Sequence, residues 1–300
     1  MVDLCTSLIL IANGFKHYTL HRWICYFPPR LLNLLWSSSP HPHISYWYRP
    51  HRSKTKKPLV FFHGIGIGLW PYTPFFADII TRDSDVGILA IESLSISMRI
   101  SPPPLAREAM LAGLTTLLDH HGIDSFVVCG HSYGTVLAAH VMRSPSLAGR
   151  VVGWVLVDPI PFLLHQPAVA HNFVYRIPRA ANEWQLWYFA SRDPDIARAL
   201  ARHFFWAECL LWREDLKARR VAVVLSARDQ IVDACKVRAY LTGGEGRSEQ
   251  RGDMEVWASN DGLLEVMWYP DLDHAMVFDT SQCRGPMVDA LMHLVDITAM

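Results

Sequence analysis

The chain has 300 residues, of which 51% are hydrophobic and only 19% are charged. A composition so rich in apolar residues supplies a large core and excludes a disordered or collagen-like chain. Lysines and arginines equal aspartates and glutamates, 28 against 28, so no overall positive charge indicates a nucleic-acid partner. The six cysteines are widely spaced and form no CxxC pair, which indicates reduced residues rather than a disulfide framework or a zinc site.

The N-terminal part of the chain is basic. Residues 1–77 contain eight lysines and arginines against one acid, Asp3, which gives a net charge of +7. We treat residues 1–57 as a basic, aromatic leader. Such a leader is typical of a segment that contacts a membrane or serves as an address, and a basic solvated linker is an equally good explanation.

Within the leader, the apolar spacing predicts one short amphipathic helix that includes Leu20 and Phe27 and a second from Leu31 to Trp36. A charged connector without periodicity follows. The apolar run from Leu8 to Ala12 is too short to cross a bilayer and has neither a basic flank nor a cleavage site behind it. We therefore expect an intracellular protein, either cytoplasmic or peripherally bound to a membrane.

From residue 58 onward, short β-branched apolar runs alternate with helical stretches. The predicted strands are Leu59–Phe62, Gly87–Ile91, Phe126–Cys129, Val151–Val157, Val221–Leu225 and Leu263–Trp268. The predicted helices are Pro74–Ile80, Leu105–His120, Ser132–Met142, Val232–Leu241 and Gly285–Ile297. Unbroken apolar runs are expected of strands buried on both faces of a parallel sheet, and the alternation predicts a doubly wound α/β fold.

The sequence Gly130-His131-Ser132-Tyr133-Gly134 directly follows a predicted buried strand and begins a predicted helix. In that context the GxSxG pattern is the nucleophile elbow, where a serine is held in a strained backbone conformation. Glycines flank the serine because side chains there would collide with the tightly turned strand and helix. Ser132 is therefore the candidate nucleophile.

A second motif, His63-Gly64-Ile65-Gly66-Ile67-Gly68, follows the first predicted strand. Its glycines let the backbone approach a substrate and direct N–H groups toward it. We expect the oxyanion hole to use the N–H of Tyr133 together with that of Ile65, with Gly66 as the neighbouring candidate. A structural turn or a dinucleotide loop are the alternatives, and the spacing does not fit GxGxxG.

A serine nucleophile requires a base, and the base requires an orienting acid. Asp229 follows the fifth predicted strand and His274 follows the sixth. Because parallel strands end at one edge of a sheet, both residues are expected to converge there with Ser132. Asp158 follows the fourth predicted strand and is a rival acid. We prefer Asp229 because its turn leads into a helix start and the chain order matches the usual one.

Two stretches interrupt the alternation of strands and helices. Residues 160–219 hold eleven of the 34 aromatic residues and indicate a helical cap, whereas residues 242–262 are polar and glycine-rich and predict a mobile surface loop. The aromatic content of the cap predicts an apolar substrate tunnel. The candidates to line it are Trp184, Trp187, Tyr188 and Phe205, with Tyr133 facing the same space.

These motifs resemble those of the α/β-hydrolase superfamily. The resemblance covers about residues 58–298 and rests on HGIGIG, GHSYG, SARDQIVD and DLDHAMVF, in that order. It implies a mostly parallel, doubly wound sheet whose core is formed by residues 58–159 and 220–300. It also implies that residues 160–219 are a helical, aromatic-rich lid inserted after the sixth strand of that fold. The leader has no counterpart in the minimal fold.

The resemblance further implies a serine hydrolase that cleaves a carboxylic ester with an apolar acyl or alcohol portion. Ser132 would be its nucleophile, His274 its base and Asp229 its orienting acid, with an acyl-enzyme intermediate. An acyltransferase or thioesterase that uses the same triad is an alternative, as is a slow-turnover receptor or carrier. No cofactor or metal is expected, because the histidine pairs His41/His43 and His120/His121 lack carboxylates or cysteines at ligand spacing. The expected partner is a small apolar ester, not a nucleic acid.

Overall fold

The computed structural model describes residues 2–21, 25–30 and 37–296. The strands within this part of the chain are β1 (Lys16–Thr19), β2 (Ser37–Ser38), β3 (Ser45–Arg49), β4 (Leu59–Phe62), β5 (Ile88–Glu92), β6 (Phe126–His131), β7 (Val151–Val157), β8 (Val221–Ser226), β9 (Gly246–Arg251), β10 (Met254–Ser259) and β11 (Leu264–Tyr269).

The α-helices of the described residues are α1 (Val2–Ala12), α2 (Thr73–Arg82), α3 (Arg107–His120), α4 (Tyr133–Met142), α5 (Ala168–Ala170), α6 (Ala181–Leu186), α7 (Pro194–His203), α8 (Trp206–Cys209), α9 (Ala234–Thr242) and α10 (Ser281–Val295). Two π-helical turns, His171–Tyr175 and Trp187–Ser191, continue α5 and α6. Short 3₁₀ turns cover Trp70–Tyr72, Leu94–Ile96, Ala148–Arg150, Arg213–Leu216 and Met276–Phe278. None of the helices described is long and apolar enough to cross a bilayer.

The described strands form one sheet in the order β2-β1-β3-β5-β4-β6-β7-β8-β11-β10-β9. From β5 to β11 the neighbouring strands run parallel, while β3 and β10 join this central part in antiparallel orientation. The predicted doubly wound, mostly parallel α/β fold is confirmed. Each predicted strand lies within two residues of an observed one.

The sheet is buried on both faces, and successive residues of a strand pack on opposite sides. In β4, Val60 and Phe62 contact the core that includes α3 and α4, whereas Leu59 and Phe61 contact the core that includes α2 and α10. This alternation follows from the two-residue period of side chains along a strand. The apolar runs of the sequence are unbroken because both faces are covered by helices.

The N-terminal residues are more closely joined to the fold than a separate leader would be. Strand β3 pairs with β5, and Tyr46 and Trp47 are fully buried. Strand β1 pairs with β3 in turn, and α1 packs near α2. Of the two helices predicted in the leader, residues 22–24 and 31–36 lie outside the described residues, and residues 25–30 are not helical.

The polar stretch 242–262 also differs from its prediction as a mobile loop. Most of it forms the antiparallel hairpin β9–β10, which extends the sheet beyond β11. Met254 and Val256 of the inner strand are buried in the core, and the indole of Trp257 lies against Gly246, where a Cβ would be 2.3 Å from the ring. Every residue of β10 is buried or half-buried, and Val256 and Trp257 pack into the cores on opposite faces of the sheet, which stabilises the hairpin.

Candidate active site

Ser132 lies at the sharp turn between strand β6 and helix α4. Its backbone has φ of +51° and ψ of −120°, a conformation that costs a non-glycine residue about 1–3 kcal/mol. The Ser132 N–H is held by the carbonyl of Val157 at 2.9 Å. The turn therefore presents the hydroxyl at the carboxyl edge of the parallel sheet, with the N-terminus of α4 directly behind it.

The two glycines of the elbow are required by close backbone contacts. A Cβ on Gly134 would lie 2.0 Å from the carbonyl oxygen of Phe62, and a Cβ on Gly130 would lie 2.7 Å from that of Gly134. Only a residue without a side chain fits where strand and helix approach this closely. The steric reason that the GxSxG pattern gave for these two glycines is thus confirmed by specific backbone contacts.

Three side chains predicted from distant parts of the sequence meet at this edge. His274 Nε2 lies 2.8 Å from Ser132 Oγ, and His274 Nδ1 lies 2.7 Å from Asp229 Oδ2. Asp229 lies just beyond β8 and His274 lies beyond β11. The other oxygen of Asp229 accepts hydrogen bonds from the N–H groups of Ile231 and Val232 at 2.7 and 2.9 Å. The carboxylate is therefore fixed from behind while it faces the imidazole.

Burial and charge act in opposite directions on His274. Burial by itself lowers the pKa of the imidazole, but the nearby Asp229 carboxylate, with smaller contributions from Asp158 and Asp273, raises the pKa above its usual value. The imidazolium is thus stabilised at the position where a proton taken from Ser132 would be held.

The rival acid, Asp158, has a different set of partners. It is fully buried beyond β7, where its two oxygens accept hydrogen bonds from Ser226 N at 3.0 Å and Ala275 N at 2.8 Å. His274 donates to Asp229 rather than to this carboxylate. Asp158 therefore ties the turn that carries His274 to the end of β8.

Among the described residues, Asp158, Asp229 and His274 also form a set whose potential metal-ligand atoms lie within 4.8 Å of one another. Both nitrogens of His274 already have partners, and both oxygens of Asp158 accept backbone N–H groups. Because these lone pairs are in use, the arrangement suits proton transfer better than metal coordination.

The glycine-rich loop after β4 is fixed by His63. The ring Nε2 accepts a hydrogen bond from Ser93 N at 3.0 Å, so Nδ1 carries the proton and donates to Gly64 O at 2.7 Å. The N–H of Gly66 donates a hydrogen bond to the carbonyl oxygen of Ile96 at 3.0 Å. The expectation that Gly66 is a candidate oxyanion donor is therefore corrected, because its proton already has an acceptor. Across the described residues, the N–H groups of Ile65 and Tyr133 have no hydrogen-bond acceptor.

Tyr72 is a site residue that the sequence analysis missed. Its hydroxyl accepts a hydrogen bond from Gly64 N at 3.0 Å and donates to His131 Nδ1 at 2.7 Å. The phenol thus joins the glycine-rich loop to the elbow. No local motif marks Tyr72, because it is 59 residues away from His131 in the chain.

A cavity of about 400 Å³ includes Tyr133 of the elbow in its lining, whereas Ser132 and His274 are not among the described residues that line it. One side is a stripe along α4 formed by Tyr133, Val136, Leu137 and His140. At a rise of 1.5 Å per residue, these seven steps extend about 10 Å from the elbow. The stripe is apolar for two turns and becomes polar at His140, so this wall suits an apolar group of limited length, while Glu92, Arg107 and Glu208 line other parts of the cavity.

Of the four predicted tunnel residues, Phe205 lines this cavity and Trp184, Trp187 and Tyr188 do not. Trp184 and Tyr188 are 51% and 67% exposed. Trp187 packs edge-on against Trp184 and carries the guanidinium of Arg192 over its ring. The aromatic content of residues 160–219 does not reveal which of these rings are exposed to solvent.

A family model described as the alpha/beta hydrolase family matches residues 59–284. The chain belongs to the α/β hydrolase family. This family membership accounts for the mixed, mostly parallel sheet and for the position of the elbow between β6 and α4. A search of curated protein sequences finds no match.

Solved structures of other hydrolases are similar in fold at low sequence identity. The 2-hydroxy-6-oxo-6-phenylhexa-2,4-dienoate hydrolase from Rhodococcus sp. strain RHA1 is 15% identical with a TM-score of 0.53, over 84% of this chain and 94% of that chain. A putative aryl esterase from Burkholderia cenocepacia is 14% identical with a TM-score of 0.55, over 85% and 96%. A carboxylesterase from Bacillus subtilis is 12% identical with a TM-score of 0.55, over 97% and 99%.

Proposed function

We propose that this α/β hydrolase is a serine esterase that cleaves a carboxylic ester with an apolar acyl or alcohol portion. The observation that carries the proposal is the chain of two short hydrogen bonds from Ser132 through His274 to Asp229. A nucleophile, a base and an orienting acid within hydrogen-bond reach are the requirements of acyl transfer through serine.

In the first step, Ser132 Oγ attacks the ester carbonyl while His274 Nε2 accepts the hydroxyl proton. Asp229 keeps Nδ1 protonated and stabilises the imidazolium that results. The imidazolium then gives its proton to the leaving alcohol, and an acyl-enzyme is formed. Water activated by His274 releases the acid and restores Ser132.

The oxyanion of the tetrahedral intermediate is assigned to the backbone N–H groups of Ile65 and Tyr133. Tyr133 directly follows the nucleophile, and Gly64, the residue before Ile65, lies so close to Ser132 that a Cβ on it would be 2.9 Å from the serine Cβ. Neither N–H group has an acceptor within the described part of the chain. The loop that carries Ile65 is fixed by His63 and Tyr72. Donors that are held in place before the reaction stabilise developing charge at no further cost in reorganisation.

The substrate class follows from the cavity beside Tyr133. Its wall along α4 offers two helical turns of apolar surface, which favours an acyl or alcohol arm of limited length. Proteins of similar fold include ones named as an aryl esterase and a carboxylesterase. We therefore expect soluble esters with short to medium apolar arms to be better substrates than long-chain lipids.

The test is a panel of p-nitrophenyl esters of increasing acyl length, run beside a fluorophosphonate label. We expect Ser132→Ala to abolish both turnover and labelling, while Ser146→Ala, an exposed serine beyond the end of α4, leaves both unchanged. Circular dichroism checks that both variants are folded. Turnover or labelling that persists in folded Ser132→Ala would refute the assignment of the nucleophile.

A further inference from the structure

A buried ionic network joins the N-terminal residues to the end of strand β5. Glu92 is 6% exposed. Its carboxylate accepts hydrogen bonds from both terminal nitrogens of the Arg30 guanidinium, at 2.7 and 2.8 Å. The same carboxylate accepts a hydrogen bond from the hydroxyl of Ser45 at 2.7 Å and lies 3.1 Å from His17 Nε2. All three partners precede residue 50, so Glu92 is the point where the N-terminal part of the chain is fastened to the central sheet.

The same N-terminal part contacts the loop that follows Glu92 at its far end. Phe27 and Ile100 exchange two backbone hydrogen bonds, at 2.7 and 3.0 Å. Arg99 donates to Pro28 O at 3.0 Å and forms an ion pair with Asp3. Residues 92–100 are thus held at both ends by residues that come from the first 50 positions of the chain.

The segment held in this way supports the glycine-rich loop. Ser93 N donates to His63 Nε2 at 3.0 Å, and Ile96 O accepts Gly66 N at 3.0 Å. These two contacts fix His63 and Gly66, which precede and follow the segment Gly64-Ile65. The position of the Ile65 N–H therefore depends on residues 93–96, and these depend on Glu92 and Arg30.

A buried ion pair of this kind is a poor means of gaining stability. Burial by itself would raise the pKa of Glu92, but Arg30 and His17 hold it well below its usual value, so the carboxylate stays charged. The cost of taking both charges out of water offsets most of their attraction, and an apolar pair of similar volume is often as stable. What the bidentate pair does supply is a fixed geometry.

We propose that Arg30 and Glu92 are positioning residues for catalysis, which act through residues 93–96 to aim the Ile65 N–H at the oxyanion. The inference rests on the proposed function, because it requires an oxyanion to form near Ile65. On this view the N-terminal residues are part of the catalytic apparatus rather than an accessory leader. The interaction acts on the transition state, so its loss lowers kcat rather than substrate binding.

The test compares Arg30→Met, Arg30→Lys and Glu92→Gln on one soluble p-nitrophenyl ester, at a temperature where circular dichroism shows each variant to be folded. We expect Arg30→Met and Glu92→Gln to lower kcat by about 10- to 100-fold with little change in KM, because a displaced donor loses transition-state stabilisation. Arg30→Lys keeps the positive charge but cannot form the bidentate pair with Glu92. We therefore expect its kcat to lie between those of Arg30→Met and the wild type.

The matched control is Arg238→Met, which removes a partly buried ion pair with Glu255 on β10, a strand far from β5 in the order of the sheet. It is expected to lower stability without lowering kcat. A wild-type kcat in folded Arg30→Met, or an equal loss in Arg238→Met, would overturn the inference. If Arg30→Met does not fold, a folded Glu92→Gln or Arg30→Lys takes its place, because each breaks the bidentate pair, and a wild-type kcat in that variant has the same consequence.

The two proposals fail in different ways. Turnover that survives in Ser132→Ala contradicts the proposed serine esterase, whatever the Arg30 variants do. An inactive Ser132→Ala together with fully active, folded Arg30→Met contradicts only the positioning role.

Discussion

The carboxylate of Asp158 accepts the backbone N–H of Ala275 at 2.8 Å, one residue after the histidine of the site. Ala275 has a φ of +70°, which is unfavourable for a residue with a side chain. The buried carboxylate thus supports a strained turn that directs His274 toward Ser132. This role is structural, and it separates Asp158 from Asp229, whose carboxylate contacts the imidazole itself.

The two carboxylates are expected to respond differently to the same change. Asp229→Asn should lower kcat by about 10⁴ with little loss of stability, on the precedent of the serine-protease triad, because the amide favours the wrong imidazole tautomer. Asp158→Asn should reduce kcat much less. It places an NH₂ group against a backbone N–H, which should lower the free energy of unfolding by roughly 1–3 kcal/mol.

Measurement of kcat on one soluble ester, with urea unfolding of both variants, distinguishes the two roles. A large loss of kcat in Asp158→Asn, together with an Asp229→Asn that keeps most of its kcat, would contradict the assignment of Asp229 as the acid.

The pH dependence of kcat/KM should report the protonation of His274. Only the neutral imidazole accepts the serine proton, so kcat/KM should rise as the pH increases through the pKa of His274. Burial lowers that pKa, but Asp229 and its neighbours outweigh burial and raise it. Asp229→Asn removes the largest raising contribution, so its residual activity should rise at lower pH than in the wild type. An unshifted or higher midpoint in the variant would show that Asp229 does not set the charge of this histidine.

Gly134→Ala should disrupt the elbow. The added Cβ would lie 2.0 Å from the carbonyl of Phe62, and backbone cannot yield as a flexible side chain does. We expect a loss of several degrees in melting temperature and near-complete loss of esterase activity. Gly149→Ala, where no atom lies within 4 Å of the position that a Cβ would take, is the control and should behave as the wild type. Normal melting of Gly134→Ala would mean that α4 is not packed this closely against β4.

The N-terminal residues are expected to bind anionic vesicles, with each base near the surface contributing roughly 1 kcal/mol. Fewer basic residues can contact a membrane than the sequence suggests, because Arg30 and Lys56 form ion pairs within the protein and Arg49 donates to a backbone carbonyl. Removal of residues 1–57 would also remove β1 and β3 from the sheet.

The vesicle test therefore uses the double variant Trp23→Ala with Trp36→Ala, because each tryptophan belongs to one of the two amphipathic helices predicted in the leader. The control is Trp184→Ala, which removes an exposed tryptophan outside the leader. Co-sedimentation should fall for the double variant and not for the control. Equal binding by both variants and the wild type would contradict a membrane role for the N-terminal residues.

The sequence predicted the central strands well because each is a continuous apolar run with helices on both sides. Strands β1 and β2 were missed because four and two residues are too short to show a period. Their position depends on contacts such as that between His17 and Glu92, 75 residues apart, and no local pattern encodes such a contact.

In the site, Ser132, Asp229 and His274 each sit in a local motif, and the structure brings all three together. The choice between Ile65 and Gly66 is different, because it depends on which N–H the distant carbonyl of Ile96 accepts. Three of the four predicted tunnel residues, all but Phe205, do not line the cavity, because the number of aromatic residues in a segment does not reveal which way each ring points.

The hairpin β9–β10 places a strand of unusual composition at the open margin of the sheet. The side chains from Arg247 to Arg251 are exposed and include Glu249 between the two arginines. A second strand that paired there would have to order and partly dehydrate these charges along its whole length. The charged edge strand β9 is therefore poorly suited to pair with a further strand, so edge-to-edge aggregation through this edge of the sheet should be disfavoured.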